Sequence, residues 1–124
     1  MSLKMFALSI ASMILASVAW GQSVPVYEVD AKNGSVGNTN PALPFVSITE
    51  AIAFGKSLAL SEFDVEVIGL EDPNSPGVPY VYQQANSFPA GGGEVFPIDV
   101  PAGVAVIASD TSQWPVVVGS ASVS

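Results

Sequence analysis

The sequence predicts a mainly β chain with a single helix. Residues 63–68 alternate apolar with acidic side chains over most of their length, which is typical of a strand with one buried face. Residues 96–100 and 104–108 are two short apolar runs about a Pro-Ala-Gly corner at 101–103. With ten prolines, eleven glycines and few charged residues, the composition indicates short strands joined by many corners rather than a disordered acidic chain.

The first 21 residues resemble a secretory signal peptide. A short positive start over 1–4 is followed by an apolar run over 6–16, with small residues at Ala19 and Gly21. Cleavage is expected after Gly21, with Ala19 as the alternative. The apolar run is shorter than the ~20 residues that span a bilayer, so a signal is favoured over a membrane anchor, with no membrane span after cleavage. We therefore expect a protein that is secreted to the extracellular space or the cell envelope.

The first elements of the exported part are a strand, a loop and a helix. A strand is expected over 24–30, followed by a turn-rich loop. A helix is expected over 48–60, because Ser47 and Glu50 have the Ser-x-x-Glu spacing of a capping box. The apolar residues that follow share one helical face. They are Ile48, Ala51, Ile52, Gly55, Leu58 and Ala59.

The second half of the chain is expected to contain short strands between corners. Prolines interrupt regular structure over 69–79, and 88–93 is a glycine-rich loop. The last residues, 120–124, are small and polar and are expected to form a frayed tail. Strands are expected at 78–83, 96–100, 104–108 and 116–118.

Two blocks together resemble a known family. Residues 44–52 read Pro-Phe-Val-Ser-Ile-Thr-Glu-Ala-Ile, and residues 96–104 read Phe-Pro-Ile-Asp-Val-Pro-Ala-Gly-Val, after an opening strand at Tyr27. This order resembles the N-terminal segment of secreted right-handed parallel β-helix proteins of the pectate-lyase-like group, especially a domain of unknown function within it. The resemblance implies the start of a right-handed parallel β-helix over 22–119, with an N-terminal capping helix and an incomplete solenoid.

The resemblance also implies a role. It points to association with extracellular polysaccharide or the cell surface. A capping helix agrees with the physics of stacked repeats, since the first coil exposes an apolar face that needs a cover. An incomplete stack would leave its other end open, and self-association through that end is expected.

The charge balance excludes several classes of partner. After signal cleavage, Lys32 and Lys56 would be the only basic residues, against eleven acidic ones. Nucleic-acid binding needs Lys and Arg to neutralise phosphates, so it is not expected. Anionic membranes and strongly acidic polysaccharides are disfavoured for the same reason, and the acidity is expected to favour solubility.

Catalytic chemistry has few candidate residues. The chain has no histidine, cysteine or arginine, which removes His-based nucleophile systems and zinc sites. No catalytic residue carries over from the resemblance, because the catalytic coils of such proteins lie further along the solenoid. Asp64 and Glu66 share one strand face about 6–7 Å apart, a separation that could suit a glycosidase pair. A solvated strand face is the favoured interpretation, and a fragment of a polysaccharide lyase or glycoside hydrolase is the alternative.

Two further sets of residues are candidate ligand sites. Asp30, Asn33 and Asn38 supply oxygen donors near a glycine turn, as a calcium site requires, although turn formation is the favoured interpretation; apart from calcium no cofactor is expected. Tyr80, Tyr82 and Trp114 could stack on sugars in a small glycan-binding module, although packing in the core or at an edge is favoured.

Overall fold

The computed structural model describes residues 24–109 and 113–123. The expected signal peptide over 1–21 lies outside these residues. Among them the chain forms one helix, α1 Ile48–Ser57, and nine strands. The strands are β1 Val26–Val29, β2 Phe63–Val67, β3 Glu71–Asp72, β4 Ser75–Pro79, β5 Val81–Tyr82, β6 Ile98–Val100, β7 Val104–Ala108, β8 Val116–Val117 and β9 Ala121–Val123.

Most strand pairs are parallel. The largest sheet has three strands in the order β1-β2-β7, with Tyr27 beside Val65 and Val65 beside Val106. Two further parallel pairs join β5 to β8 and β6 to β9. Along the chain, the set β2, β5 and β6 is thus followed by the set β7, β8 and β9. The strands pair one to one between the two sets, β2 with β7, β5 with β8 and β6 with β9.

The core lies under the three-stranded sheet. In β2 the apolar side chains at odd positions are buried, while Asp64 and Glu66 are only partly buried, as the alternation in the sequence predicts. The helix packs on this core with four residues of its predicted face, which are Ile48, Ala51, Ile52 and Gly55. The other two residues predicted on that face, Leu58 and Ala59, are exposed, because the helix has ended before them. The mainly β composition with one helix is therefore confirmed.

The helix ends earlier than the sequence predicts. It was expected to continue to Leu60, but it ends at Ser57. Ala59 has a φ of 56°, which turns the backbone out of the helix in the left-handed region. The Leu60 amide donates a hydrogen bond back to the Gly55 carbonyl at 3.4 Å.

Two segments form strands that the sequence analysis did not predict. Residues 69–79 were expected to lack regular structure, but β3 and β4 form a small antiparallel hairpin about a turn at 73–74. The tail over 120–124 was expected to fray, but β9 within it pairs with β6, Ala121 lying beside Ile98.

The two outer edges of the three-stranded sheet differ. The edge of β1 is covered, because the Phe45 amide donates to the Glu28 carbonyl at 2.8 Å and the Asp30 amide donates to the Phe45 carbonyl at 2.8 Å. The other edge strand, β7, pairs with β2 on one side and has no strand on its other side within the described part of the chain.

Candidate functional site

The N-terminus of α1 is bound by a buried carboxylate from a distant loop. Glu94 is 3% exposed, and its Oε2 accepts a hydrogen bond from the Ile48 amide at 2.8 Å. Its Oε1 accepts from the Thr49 amide at 2.9 Å and from the Thr49 hydroxyl at 2.7 Å. A helix N-terminus with free amides can bind an external anion, but here an internal carboxylate already occupies that position.

The predicted capping box forms only in part. Ser47 is the N-cap, and its hydroxyl accepts a hydrogen bond from the Glu50 amide at 3.1 Å. The Glu50 carboxylate does not complete the box, since its Oε1 accepts from the Gly37 amide at 2.8 Å instead. The two glutamates thus connect the start of the helix to two loops, one on each side of it in the sequence.

The two tyrosines proposed for sugar stacking are part of the core. Tyr80 and Tyr82 are each 2% exposed, and their rings pack edge to face with centroids 5.2 Å apart. Phe88 packs against Tyr80 at 4.9 Å. The prediction that Tyr80 and Tyr82 point to one side was correct, but that side faces inward, so neither ring is available to a glycan.

Both tyrosine hydroxyls are used inside the protein. Tyr82 donates a hydrogen bond to the Ile68 carbonyl at 2.8 Å, and the Ala31 amide donates to it at 3.3 Å. Tyr80 donates to Asn86 Oδ1 at 2.8 Å. Burial raises the pKa of both hydroxyls above the ordinary tyrosine value, because the phenolate form would lose its hydration.

The acidic pair of β2 lies on the outward face of the sheet. Asp64 and Glu66 are partly buried, and Glu66 stands beside Glu28 of β1 and Ile107 of β7. Two like charges side by side on a sheet face repel each other. The pair therefore sits on an outer sheet surface with a third carboxylate next to it, as expected for the solvated face of an amphipathic strand.

The proposed calcium ligands are engaged in turns. Asp30 Oδ1 accepts hydrogen bonds from the Lys32 and Asn33 amides at 2.9 and 3.0 Å, and its Oδ2 accepts from Asn33 Nδ2 at 2.9 Å. Asn38 lies in a separate turn, where its Oδ1 accepts from the Asn40 amide at 2.9 Å. Such hydrogen bonds to nearby backbone are how Asp and Asn stabilise turns.

Trp114 is the proposed sugar-stacking residue that remains accessible, with 76% of its surface exposed. A groove of about 520 Å³, here called the glutamine groove, was not predicted from the sequence. Its polar and aromatic lining comes from Gln83, Gln84, Phe96 and Ser120. It could not be predicted from the sequence, because its lining residues come from three separate segments of the chain, at 83–85, at Phe96 and at 118–120.

Metal-binding clusters and membrane-spanning helices are absent from the described residues. Residues 24–109 and 113–123 contain no group of three or more His, Cys, Asp or Glu side chains placed to hold a metal ion. No helix in this part of the chain is long and apolar enough to span a membrane. Comparison with protein families, curated proteins and solved structures finds no match for the chain.

Proposed function

We propose that this chain is an exported, non-catalytic structural module that forms the N-terminal end of a parallel β-helix. One observation carries the proposal, which is the pairing of two successive sets of three strands. The first set is β2, β5 and β6, and the second set is β7, β8 and β9. Each strand of the second set pairs in parallel with the strand at the same place in the first set. A chain wound into successive coils produces this pairing, whereas hairpins and meanders produce antiparallel neighbours.

The contacts of α1 support its role as the cover of the first coil. The helix packs against β1, β2 and β6, which belong to the first coil and to the coil below it. Its Phe54 packs edge to face on Tyr27 at 5.4 Å. Gly55 lies directly on the Phe63 ring, so that a side chain at this position would overlap with the ring. A helix held in this way keeps water from the apolar end of the stack.

The chemistry of the chain supports a non-catalytic role. The acidic pair Asp64 and Glu66 lies on an outer sheet face beside Glu28, and the tyrosines are buried in the core. The proposed setting is the extracellular space or cell envelope, in association with polysaccharide or the cell surface. This setting rests on the leader-like residues 1–21 and on the family resemblance.

Nuclear magnetic resonance of the purified protein tests the architecture. Parallel coils predict contacts between protons of Val65 and Val106, of Val81 and Val116, and of Ile98 and Ala121. All three are expected in one species. Antiparallel pairing of these strands, or a missing second and third contact, would contradict the coil arrangement.

Two further measurements test the setting and the lack of catalysis. N-terminal sequencing of protein secreted by an expression host is expected to begin at Gln22, or at Trp20 for the alternative cleavage. No sugar should be released from a panel of neutral and acidic polysaccharides. Retention of the intact leader inside the cell would contradict export, and turnover that is lost in Asp64→Ala or Glu66→Ala would contradict the non-catalytic role.

A second candidate function is glycan binding at the glutamine groove. The exposed residues Gln83 and Gln84 line this groove together with Phe96, and amides with an aromatic ring suit sugar hydroxyls and sugar faces. Titration with neutral oligosaccharides should shift the backbone amide signals of these residues. The double variant with Gln83→Ala and Gln84→Ala should abolish these shifts. Shifts confined to Trp114 would place the sugar at that exposed ring instead, and flat titrations would dismiss the candidate.

A further inference from the structure

The face of the three-stranded sheet that is buried at β2 is partly exposed at the edge strand β7. Val106 of β7 stands beside Val65 of β2, on the same face of the sheet. Val65 is fully buried, whereas Val106 is 39% exposed. At the other edge strands, Val117 of β8 is 44% exposed beside the buried Tyr82, and Val123 of β9 is 80% exposed beside the partly buried Val100.

The opposite edge of the sheet, at β1, is covered rather than exposed. There the outer edge of β1 is hydrogen-bonded to Phe45, and α1 packs over the apolar residues of the sheet. An added strand could therefore join at β7 but not at β1. Head-to-tail stacking of copies, which joins the two different ends, is excluded by the same covering of β1.

The charges of the chain single out the same edge. Of the residues from 100 to 124 only Asp110 is charged, although the whole chain has a formal net charge of −8. Edge strands that avoid pairing usually have lysine, proline or an inward-pointing charge, and β7 reads Val-Ala-Val-Ile-Ala. This uncharged edge is the surface on which two acidic molecules can approach with the least repulsion.

We propose that the partner of this edge is a second copy of the same chain. The two copies pair through β7 in antiparallel orientation about a two-fold axis at Val106, so that each copy offers the same surface. The inference rests on the proposed function and deepens it, because it names a partner for the edge of the sheet at β7. Antiparallel pairing supplies the outer edge of β7 with a partner strand, which it lacks within the described residues.

Sedimentation of a matched pair of valine variants tests the dimer. Val106→Lys places two lysines opposite each other at the axis and should weaken dimerisation at least about tenfold, a change of about 1.4 kcal/mol. Val26→Lys is the control, because Val26 is also an exposed valine, 49% accessible, but lies in β1 at the covered end. The control should dimerise like the unmodified protein. A monomer at all concentrations, or equal weakening by both variants, overturns the proposal.

Cross-linking locates the contact without changing charge. The chain has no cysteine, and residues facing each other across an antiparallel pair lie within disulfide reach. Oxidised Val106→Cys should form a covalent dimer, and Val26→Cys should not. No covalent dimer from Val106→Cys overturns the proposal. If the unmodified protein then shows the proton contacts between Val65 and Val106, only the dimer fails. If these contacts are missing from the unmodified protein as well, the proposed coil arrangement fails with the dimer.

Discussion

Glu94 Oε2 accepts a hydrogen bond from the Ile48 amide at 2.8 Å, across 46 residues of sequence. This carboxylate fixes the glycine-rich loop before it to the first turn of α1. It also places a negative charge at the positive end of the helix dipole. The position of the helix over the sheet therefore depends on a residue from the other half of the chain.

Replacing Glu94 should destabilise the fold. Glu94→Gln keeps the size of the side chain but removes its charge, and its amide nitrogen cannot accept from either backbone amide. Charge-assisted hydrogen bonds contribute about 1.5–3 kcal/mol, so the free energy of unfolding should fall by about 2–3 kcal/mol in urea denaturation followed by circular dichroism. Glu62→Gln, at an exposed carboxylate, is the control and should change the stability by less than about 0.5 kcal/mol. Equal effects would contradict a specific role for Glu94.

Gly55 should not tolerate alanine, although alanine is the better helix former. A methyl group at position 55 would overlap with the ring of Phe63, and overpacking of a core costs about 1–3 kcal/mol. That cost should exceed the gain in helix propensity of about 1 kcal/mol. Gly55→Ala is therefore expected to lower the melting temperature.

Two variants check the origin of this effect. Phe63→Leu leaves more space below position 55, so adding Gly55→Ala in that background should cost less than in the unmodified protein. Ala53→Gly, at an exposed position of the same helix, should be destabilising through propensity alone. A raised melting temperature for Gly55→Ala would show that the helix does not pack this closely on the sheet.

Ala59 should accept glycine with a gain in stability. Its φ of 56° is unfavourable for a residue with a β-carbon by about 1–2 kcal/mol, and glycine removes this strain. Part of the stabilisation is lost again, because glycine has more conformational freedom in the unfolded chain. Ala59→Gly is therefore expected to raise the free energy of unfolding by about 0.5–1 kcal/mol in urea denaturation. Destabilisation comparable to Ala53→Gly would mean that the helix continues through this position.

The start of the helix and the alternating burial in β2 were predictable, whereas the helix end, the β3–β4 hairpin and the contacts with distant partners were not. The start of α1 was predicted correctly because Ser47 is the N-cap, and its hydroxyl accepts a hydrogen bond from the Glu50 amide three residues along the chain. The Glu94 contact could not be predicted, since a glutamate after three glycines gives no sign of its partner. The strand at β9 was missed for a similar reason: its Ala-Ser-Val sequence is weakly β-forming alone, and it is held by pairing with β6.

The candidate site shows the same limit. The alternation of Tyr80 and Tyr82 predicts a shared side, but a tyrosine suits either a core or a binding surface, so alternation does not say which side is buried. The face of Asp64 and Glu66 was clearer, because unpaired charges are rarely buried. The glutamine groove could be identified only from the folded structure, since Phe96 and Gln83 line the same groove only after the chain has turned back on itself.

The stability of the protein should fall in alkaline solution. Burial raises the pKa of the Tyr82 hydroxyl, while in the unfolded chain it ionises near pH 10. Above about pH 10 the unfolded state therefore binds fewer protons than the folded state, and the free energy of unfolding decreases as the pH rises. Urea denaturation from pH 8 to 11 should show this decrease.

A phenylalanine variant assigns the alkaline effect to Tyr82. Tyr82→Phe should be less stable at pH 8 by about 1–3 kcal/mol, because the Ile68 carbonyl loses its donor. Its stability should then decline less steeply above pH 10 than that of the unmodified protein. An unchanged decline would mean that other groups, such as the Tyr80 hydroxyl whose pKa is also raised, account for it.

Calcium should not stabilise the protein, because Asp30 uses both carboxylate oxygens within its own turn. A bound ion would have to compete with the Lys32 and Asn33 donors. The melting temperature is therefore expected to be the same in millimolar calcium and in chelator. Asp30→Ala should lower the free energy of unfolding by about 1–2 kcal/mol in both solutions through loss of the turn. A rise in melting temperature with calcium that disappears in Asp30→Ala would instead establish this turn as a calcium site.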